Sequence, residues 1–290
     1  MKITIALEWF LNPDHLPFIV GMKKGWFQDA GLELELIEPR EHYDGFEGLR
    51  TGEITIAVNE PLHLLEHYRD DLVSLGCYFE TEGGVIIKKA AFEHLRMGGM
   101  IRVTTPAAND VTDRIGFEII ARHCRNKGFE VSRDQVEFVQ TDFYHIKNLQ
   151  DGYGAAWLCF ENYEVIEAEF AGLDFIMMDS KNSGYANFSA LDFITTKKTY
   201  ADNIGDLNRF VQIVERTNRY LAGNVNEAKE IFYDYTKTEK SDFEDRVIEA
   251  TLAKLLPTID RTPAKWMNLY RFLKEIGVTT MSESEYISLF

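Results

Sequence analysis

The chain has 290 residues, 45% hydrophobic and 27% charged, enough apolar material for two domains of ordinary size. Its formal net charge of −16 repels nucleic acid and anionic membrane surfaces, and Lys88-Lys89 and Lys197-Lys198 are too short to form a basic patch against it. Cys77, Cys124 and Cys159 have no zinc-site spacing and are too few and scattered for a disulfide framework, so they read as small buried hydrophobes.

Residues 3–7 form a short apolar run, the pattern of a buried parallel strand. Asn12-Pro13-Asp14-His15 is a turn offering a helix N-cap, and Leu16, Ile19, Val20 and Trp26 then recur at helical spacing up to Gly31. A strand over 32–37, a short helix through Phe46 and Leu49, a strand over 54–58, a helix over 62–68 and a strand over 72–78 follow. Such alternation predicts a mostly parallel sheet with helices on both faces. The paired Gly83-Gly84 predict a bend or crossover before Val85-Ile86-Ile87.

The pattern then begins again. Strands are expected over 101–104, 136–139, 155–159 and 173–178, with helices from Asn109 or Asp110 to Gly128 and over 163–170. One more strand covers 191–195, and from there the chain reads as helical to its end, with Pro257 and Pro263 as interruptions. The expected organisation is two α/β lobes: residues 1–87 and 190–290 in the first, which carries the C-terminal helices, and 88–189 in the second. The chain crosses between them near 83–90 and 183–191. No apolar run approaches the ~18 residues of a membrane span, so no membrane insertion is expected. Strand-like sequence begins at Ile3. The protein is therefore expected in the cytoplasm if Met1 is native, and outside it if a leader has been removed.

Ligands of open α/β sheets sit outside the carboxyl ends of the strands, and the candidate residues are found there. After the first strand, Trp9 offers a flat face to a ring, Asn12 a donor and an acceptor, and His15 an imidazole near a helix N-terminus. After 54–58, Asn59 and Glu60 reach the same crevice and His63 follows within the helix begun by Pro61. After 155–159, Glu161 is suited to an exocyclic amine and Tyr163 to closing over a ring. Tyr185 and Asn187 lie beside the second crossing, where the floor of a two-lobed cleft would be. Each also has a plain structural reading as core, cap or hinge. Nucleophile-elbow, zincin, P-loop and dinucleotide signatures are missing. The run 104–109 enters a helix without the glycines that let backbone approach a phosphate, which disfavours a phosphorylated ligand.

Leu7-Glu8-Trp9, Asn12-Pro13-Asp14-His15-Leu16-Pro17, Lys24-Gly25-Trp26-Phe27, Ala30-Gly31-Leu32-Glu33-Leu34-Glu35-Leu36 and Glu38-Pro39 together resemble one family. It comprises bacterial binding proteins for a formylaminopyrimidine thiamine precursor and the related fungal synthase of the thiamine pyrimidine. The resemblance is dense over 3–60, diffuse over 84–200 and almost absent from the helical tail. It implies an α/β, two-lobed type 2 periplasmic-binding-protein fold, with Trp9 stacked on the pyrimidine, Asn12 in the cleft and Glu161 meeting the amino side from the second lobe. It also implies a choice of branch. The synthase holds pyridoxal phosphate on a lysine where this chain has Asn59, which cannot form an imine. Its consumed histidine matches His63. Its cysteine-rich run matches Tyr185-Ala186-Asn187-Phe188-Ser189, which has none, and its phosphate loop matches Thr105-Pro106-Ala107-Ala108-Asn109, which has no glycine.

The expected function is therefore that of a solute-binding protein. It closes on a small heterocyclic, aminopyrimidine-like ligand, without a cofactor, a metal or a catalytic residue, and an ABC-transporter permease is the partner the resemblance implies. The alternative is a synthase-like enzyme using pyridoxal phosphate, iron and His63. A third reading is an alkylsulfonate or a nitrile-derived amide as ligand, since one fold hosts many ligands.

Overall fold

The computed structural model describes residues 1–39 and 44–290, and the chain divides into two compact units. The first comprises Met1–Glu80, Ala190–Met267 and Met281–Phe290; the second comprises Thr81–Ser189 and Asn268–Thr280.

The first unit is built on a six-stranded sheet. Its strands are β1 (Lys2–Ala6), β2 (Glu33–Ile37), β3 (Ile56–Asn59), β4 (Leu72–Glu80), β10 (Ala190–Thr196) and β11 (Leu255–Asp260). They lie in the order β11-β4-β10-β3-β1-β2. β1 runs parallel to β2 and β3, whereas β10 is antiparallel to both β3 and β4, and β11 is antiparallel to β4. The sheet is thus mixed where a mostly parallel one was expected. The strand–helix alternation governs only β1 to β3, and a strand returning from a distant part of the chain fills the gap between β3 and β4.

The all-helical tail also needs correction, because at the first of its two expected interruptions, Pro257, the chain forms a strand, β11. Pro257 lies in this edge strand, where a missing N–H is tolerated. Side chains of the helix Ile204–Leu221 hold β11 in place. Asn218 Nδ2 donates to the Leu256 carbonyl at 2.7 Å and to that of Tyr78 at 3.1 Å, Arg219 Nη1 donates to Pro257 at 2.6 Å, and Glu215 accepts from the Ile259 N–H at 2.9 Å. The first helix is also divided, into a 3-10 turn Pro13–His15, a helix Leu16–Lys23 and a helix Trp26–Asp29, because Gly25 takes φ +73° between the last two. Aromatic rings fill the core: Tyr78 stacks on Phe193 at 4.6 Å, with Phe18 and Phe210 against them.

The second unit has a five-stranded sheet of β5 (Gly83–Lys88), β6 (Ile101–Thr105), β7 (Val136–Gln140), β8 (Ala155–Phe160) and β9 (Phe175–Met178), in the order β7-β6-β8-β5-β9. β6 is parallel to β7 and β8, and β5 is antiparallel to β8 and β9. Gly83 and Gly84 open β5 itself, and close packing explains both. A Cβ on Gly83 would meet Ser189 Oγ at 2.2 Å, and one on Gly84 would meet the Met178 carbonyl at 2.3 Å. The ladder slips opposite them: Gly84 pairs with Cys159 and Val85 with Trp157, leaving Leu158 as a bulge at φ +70°. Residues 268–280 dock on this unit through Arg122, which meets Glu275 at 2.7 Å, and Arg114, which donates to the Gly277 carbonyl at 2.7 Å. Among the described residues no helix is long and apolar enough to cross a membrane.

A carboxylate lies in the interior of the first sheet. Asp192 on β10 is fully buried and accepts from Ser74 Oγ at 2.9 Å and from Trp266 Nε1 at 3.1 Å. Burial nevertheless pushes its carboxyl from the ordinary 3.8 up to about 6. An acid raised in the folded state contributes stability that is complete below its ordinary value, and this contribution is lost as pH rises from about 4 through 6. Urea unfolding of the wild type and of Asp192→Asn should therefore diverge between about pH 4 and 6. Over that range the wild type loses up to about 1.4 kcal/mol per pH unit relative to the variant. A difference that stays flat with pH would contradict this assignment.

Candidate functional site

β1 and β3 are adjacent and parallel, with Ala6 beside Ala57, so the chain leaves both at the same edge of the sheet. The segment after β1 carries Glu8, Trp9, Asn12 and His15; the segment after β3 carries Glu60 and His63. With Asn59 closing β3, six of the sequence candidates, Trp9, Asn12, His15, Asn59, Glu60 and His63, thus lie on the chain that leaves one pair of strand ends.

His15 is fully buried and sits between two polar partners. Its Nε2 lies 3.1 and 3.2 Å from the two oxygens of the largely buried Glu8 carboxylate, and its Nδ1 accepts from the Asn12 backbone N–H at 3.2 Å. Burial depresses the imidazole, but the charge and hydrogen bond of Glu8 outweigh burial and raise it above 6.5. Protonation at Nδ1 gives up the bond from Asn12. Asn12 is buried and works as a cap: Oδ1 accepts from Asp14 N–H at 2.7 Å and Nδ2 donates to the Phe10 carbonyl at 3.0 Å. Only its second amide proton and remaining lone pair are left for a ligand. Trp9 is half-buried, tilted against Phe10 with ring centroids 4.0 Å apart.

Asn59 is buried, and its Oδ1 accepts from the backbone N–H of Glu60 at 3.0 Å. Glu60 occupies the N-cap position of the helix Pro61–Leu65, yet its side chain makes no capping bond. The carboxylate is turned inward: Glu60 is only 7% exposed, and Oε2 accepts no hydrogen bond. His63, fully buried, has Nε2 at 3.5 Å from Glu60 Oε2 and Nδ1 at 3.5 Å from Glu66 Oε2. Burial raises the Glu60 carboxyl above its ordinary value. The His63 charge opposes the rise, and the carboxylates of Glu8 and Glu66 add to it. The feature missed from sequence is this density of acid, with the carboxylates of Glu8 and Glu66 close enough to act on Glu60. Its local signal was thin, because each of these residues reads as an ordinary turn or helix-surface residue.

The other candidates belong to the second unit. A π-helical turn Glu161–Val165 follows β8. Glu161 is exposed, Tyr163 is half-buried, and Glu164 Oε2 accepts from the Phe160 N–H at 2.7 Å. Tyr185 and Asn187 hold the crossing segment. The Tyr185 hydroxyl donates to the Gly83 carbonyl, Asn187 Nδ2 donates to Thr81 at 2.8 Å, and Asn187 Oδ1 accepts from the Ser189 N–H at 3.1 Å. The helix Asp110–Asn126 offers little to an anion. Asn109 Oδ1 already takes the N–H groups of Val111 and Thr112, and the carboxylates of Asp110 and Asp113 lie in the first turn. Among the described residues, no group of three or more His, Cys, Asp or Glu side chains is arranged so that it could hold a metal ion.

Over residues 12–90 and 113–228 the sequence matches the family described as NMT1/THI5 like. The chain belongs to that family. A Haemophilus influenzae protein named as a thiamine biosynthesis protein is 24% identical over 255 residues, 82% of this chain and 74% of its own. The 4-amino-5-hydroxymethyl-2-methylpyrimidine phosphate synthase of Aspergillus parasiticus is 18% identical over 96% of this chain and 83% of its own. The periplasmic aliphatic sulphonate binding protein SsuA of Escherichia coli superposes with a TM-score of 0.68 at 11% identity, covering 99% of this chain and 95% of its own. This NMT1/THI5-like chain thus has the two-sheet α/β fold of periplasmic binding proteins, as its sequence led one to expect.

Replacing Glu8 by Gln removes the charge that opposes burial at His15. The His15 imidazole should then titrate lower than in the wild type, as followed by its ring-proton shifts in an NMR pH series. An unchanged titration would mean that Glu8 does not control it.

Proposed function

We propose that this protein is a solute-binding protein for a small aminopyrimidine-like thiamine precursor, working with an ABC-transporter permease. The observation that carries the reading is the half-buried Trp9 and two carboxylates with buried side chains, Glu8 and Glu60, which follow the ends of neighbouring parallel strands. An indole face suits a flat ring, and the acids suit its amino substituent and ring N–H groups. The same acids repel sulfonate or phosphate, which argues against an SsuA-like anionic ligand despite the shared fold. The thiamine-related names of the relatives support the choice of heterocycle.

The synthase reading is weaker, because pyridoxal phosphate does not fit these residues. Asn59 has no amine to form an imine, and its Oδ1 is engaged with the Glu60 N–H. The helix after residues 105–109 is already capped by Asn109 and carries acids in its first turn, which opposes a phosphate there.

Isothermal titration and thermal-shift measurements with 4-amino-5-hydroxymethyl-2-methylpyrimidine test the proposal, since a ligand that binds only the native state raises its stability. Binding with a raised melting temperature is expected. Trp9→Ala should weaken it by about 1–3 kcal/mol, roughly fivefold to 150-fold. No stabilisation at millimolar pyrimidine, or full affinity in the Trp9 variant, would overturn the reading.

A further inference from the structure

We propose that Glu60 is the specificity-determining residue of this site, reading a donor-bearing edge of the ligand, so that a weakly basic ring is captured together with one proton. This deepens the reading under Proposed function and rests on it.

The argument starts from a carboxylate the fold does not use. Glu60 is more than nine-tenths buried in the N-cap position, where acids ordinarily accept from the first backbone N–H groups of the helix, but it makes no such bond. Its Oε2 accepts no hydrogen bond, and the approach of His63 Nε2 at 3.5 Å is too long for a strong one. A buried carboxylate oxygen without a donor is costly, and a native fold ordinarily supplies the donor from water, an ion or a ligand. The acids acting on it are of its own sign: Glu8 after β1 and Glu66 at the end of its own helix. Against these stand His63 and the Arg69 guanidinium, which is spent on the His63 carbonyl at 3.2 Å. Such surroundings favour a neutral or positive partner and penalise an anionic one. They also lift the Glu60 carboxyl, so the site holds a proton more readily than an exposed glutamate would.

An aminopyrimidine meets these requirements. Its amino group and protonated ring nitrogen are adjacent N–H donors. In the complex one proton lies between the ring nitrogen and Glu60 Oε2. Where both groups are free of it beforehand, the proton comes from solvent and no covalent bond changes.

Titration calorimetry of the wild-type chain with 4-amino-5-hydroxymethyl-2-methylpyrimidine, in two buffers of different ionisation enthalpy, counts that proton. Uptake of about one proton is expected on the alkaline side, with affinity falling about tenfold per pH unit there. Glu60→Gln should abolish the uptake and flatten the pH profile, while Glu60→Asp keeps the uptake with weaker binding. Pyrimidine binding without proton uptake, or uptake that persists in Glu60→Gln, overturns the inference and leaves the proposed function standing. The wild-type proton count decides even if a variant fails to fold. Benzamidinium separates the remaining outcomes. If it binds and Glu60→Gln removes its binding while the pyrimidine never binds, the thiamine-precursor reading falls and the role of Glu60 stands. Failure of both probes removes both.

Discussion

Two carboxylates with buried side chains, Glu8 and Glu60, follow the ends of adjacent parallel strands with an imidazole beside each. Water solvates a carboxylate far better than a protein interior does, so such an arrangement persists only with partners for the charge. Glu8 has its partner in His15, and through it the Asn12 turn and the start of the first helix are fixed. Glu60 has an incomplete one. The site therefore divides into a finished half, which sets the geometry, and an unfinished half, which has capacity left for a ligand.

The division bears on how the family's two kinds of chemistry separate. Asn59 stands at the position where the resemblance places the synthase's lysine, and its amide ties down the backbone of Glu60. With no amine available, the group this strand end leaves without a hydrogen-bond donor is the neighbouring Glu60 carboxylate. His63 keeps the family's histidine but is sealed between Glu60 and Glu66 and fully buried. That environment suits a residue that tunes a carboxylate. In the second unit, Asn109 and two first-turn acids occupy the helix start that would otherwise attract a phosphate. These features all work against anionic chemistry, and they agree with the acidity of the whole chain.

Much of this was legible in the sequence because it is local. Strand runs such as residues 3–7, the Asn12-Pro13 cap and the alternation up to β4 are short-range patterns, and the structure keeps them. The family resemblance rested on the same stretch and led to the correct fold. What escaped was non-local. β11 is a strand because Asn218, Arg219 and Glu215, some forty residues earlier, catch its backbone. The mixed sheet arises because β10 returns between β3 and β4. Gly83-Gly84 read as a bend, since nothing nearby reveals that Ser189 and Met178 press against them. At the site, strand ends pointed to Trp9 and Glu60. That Asn12, Tyr185 and Asn187 spend their polar atoms on the chain's own backbone shows only in three dimensions.

The most direct test of the account is a crystal structure of the protein grown with 4-amino-5-hydroxymethyl-2-methylpyrimidine. It should place the ring flat against the Trp9 indole, with an N–H of its amidine edge within hydrogen-bond distance of Glu60 Oε2. A ring bound elsewhere, or Glu60 still without a donor beside a bound ring, would contradict it.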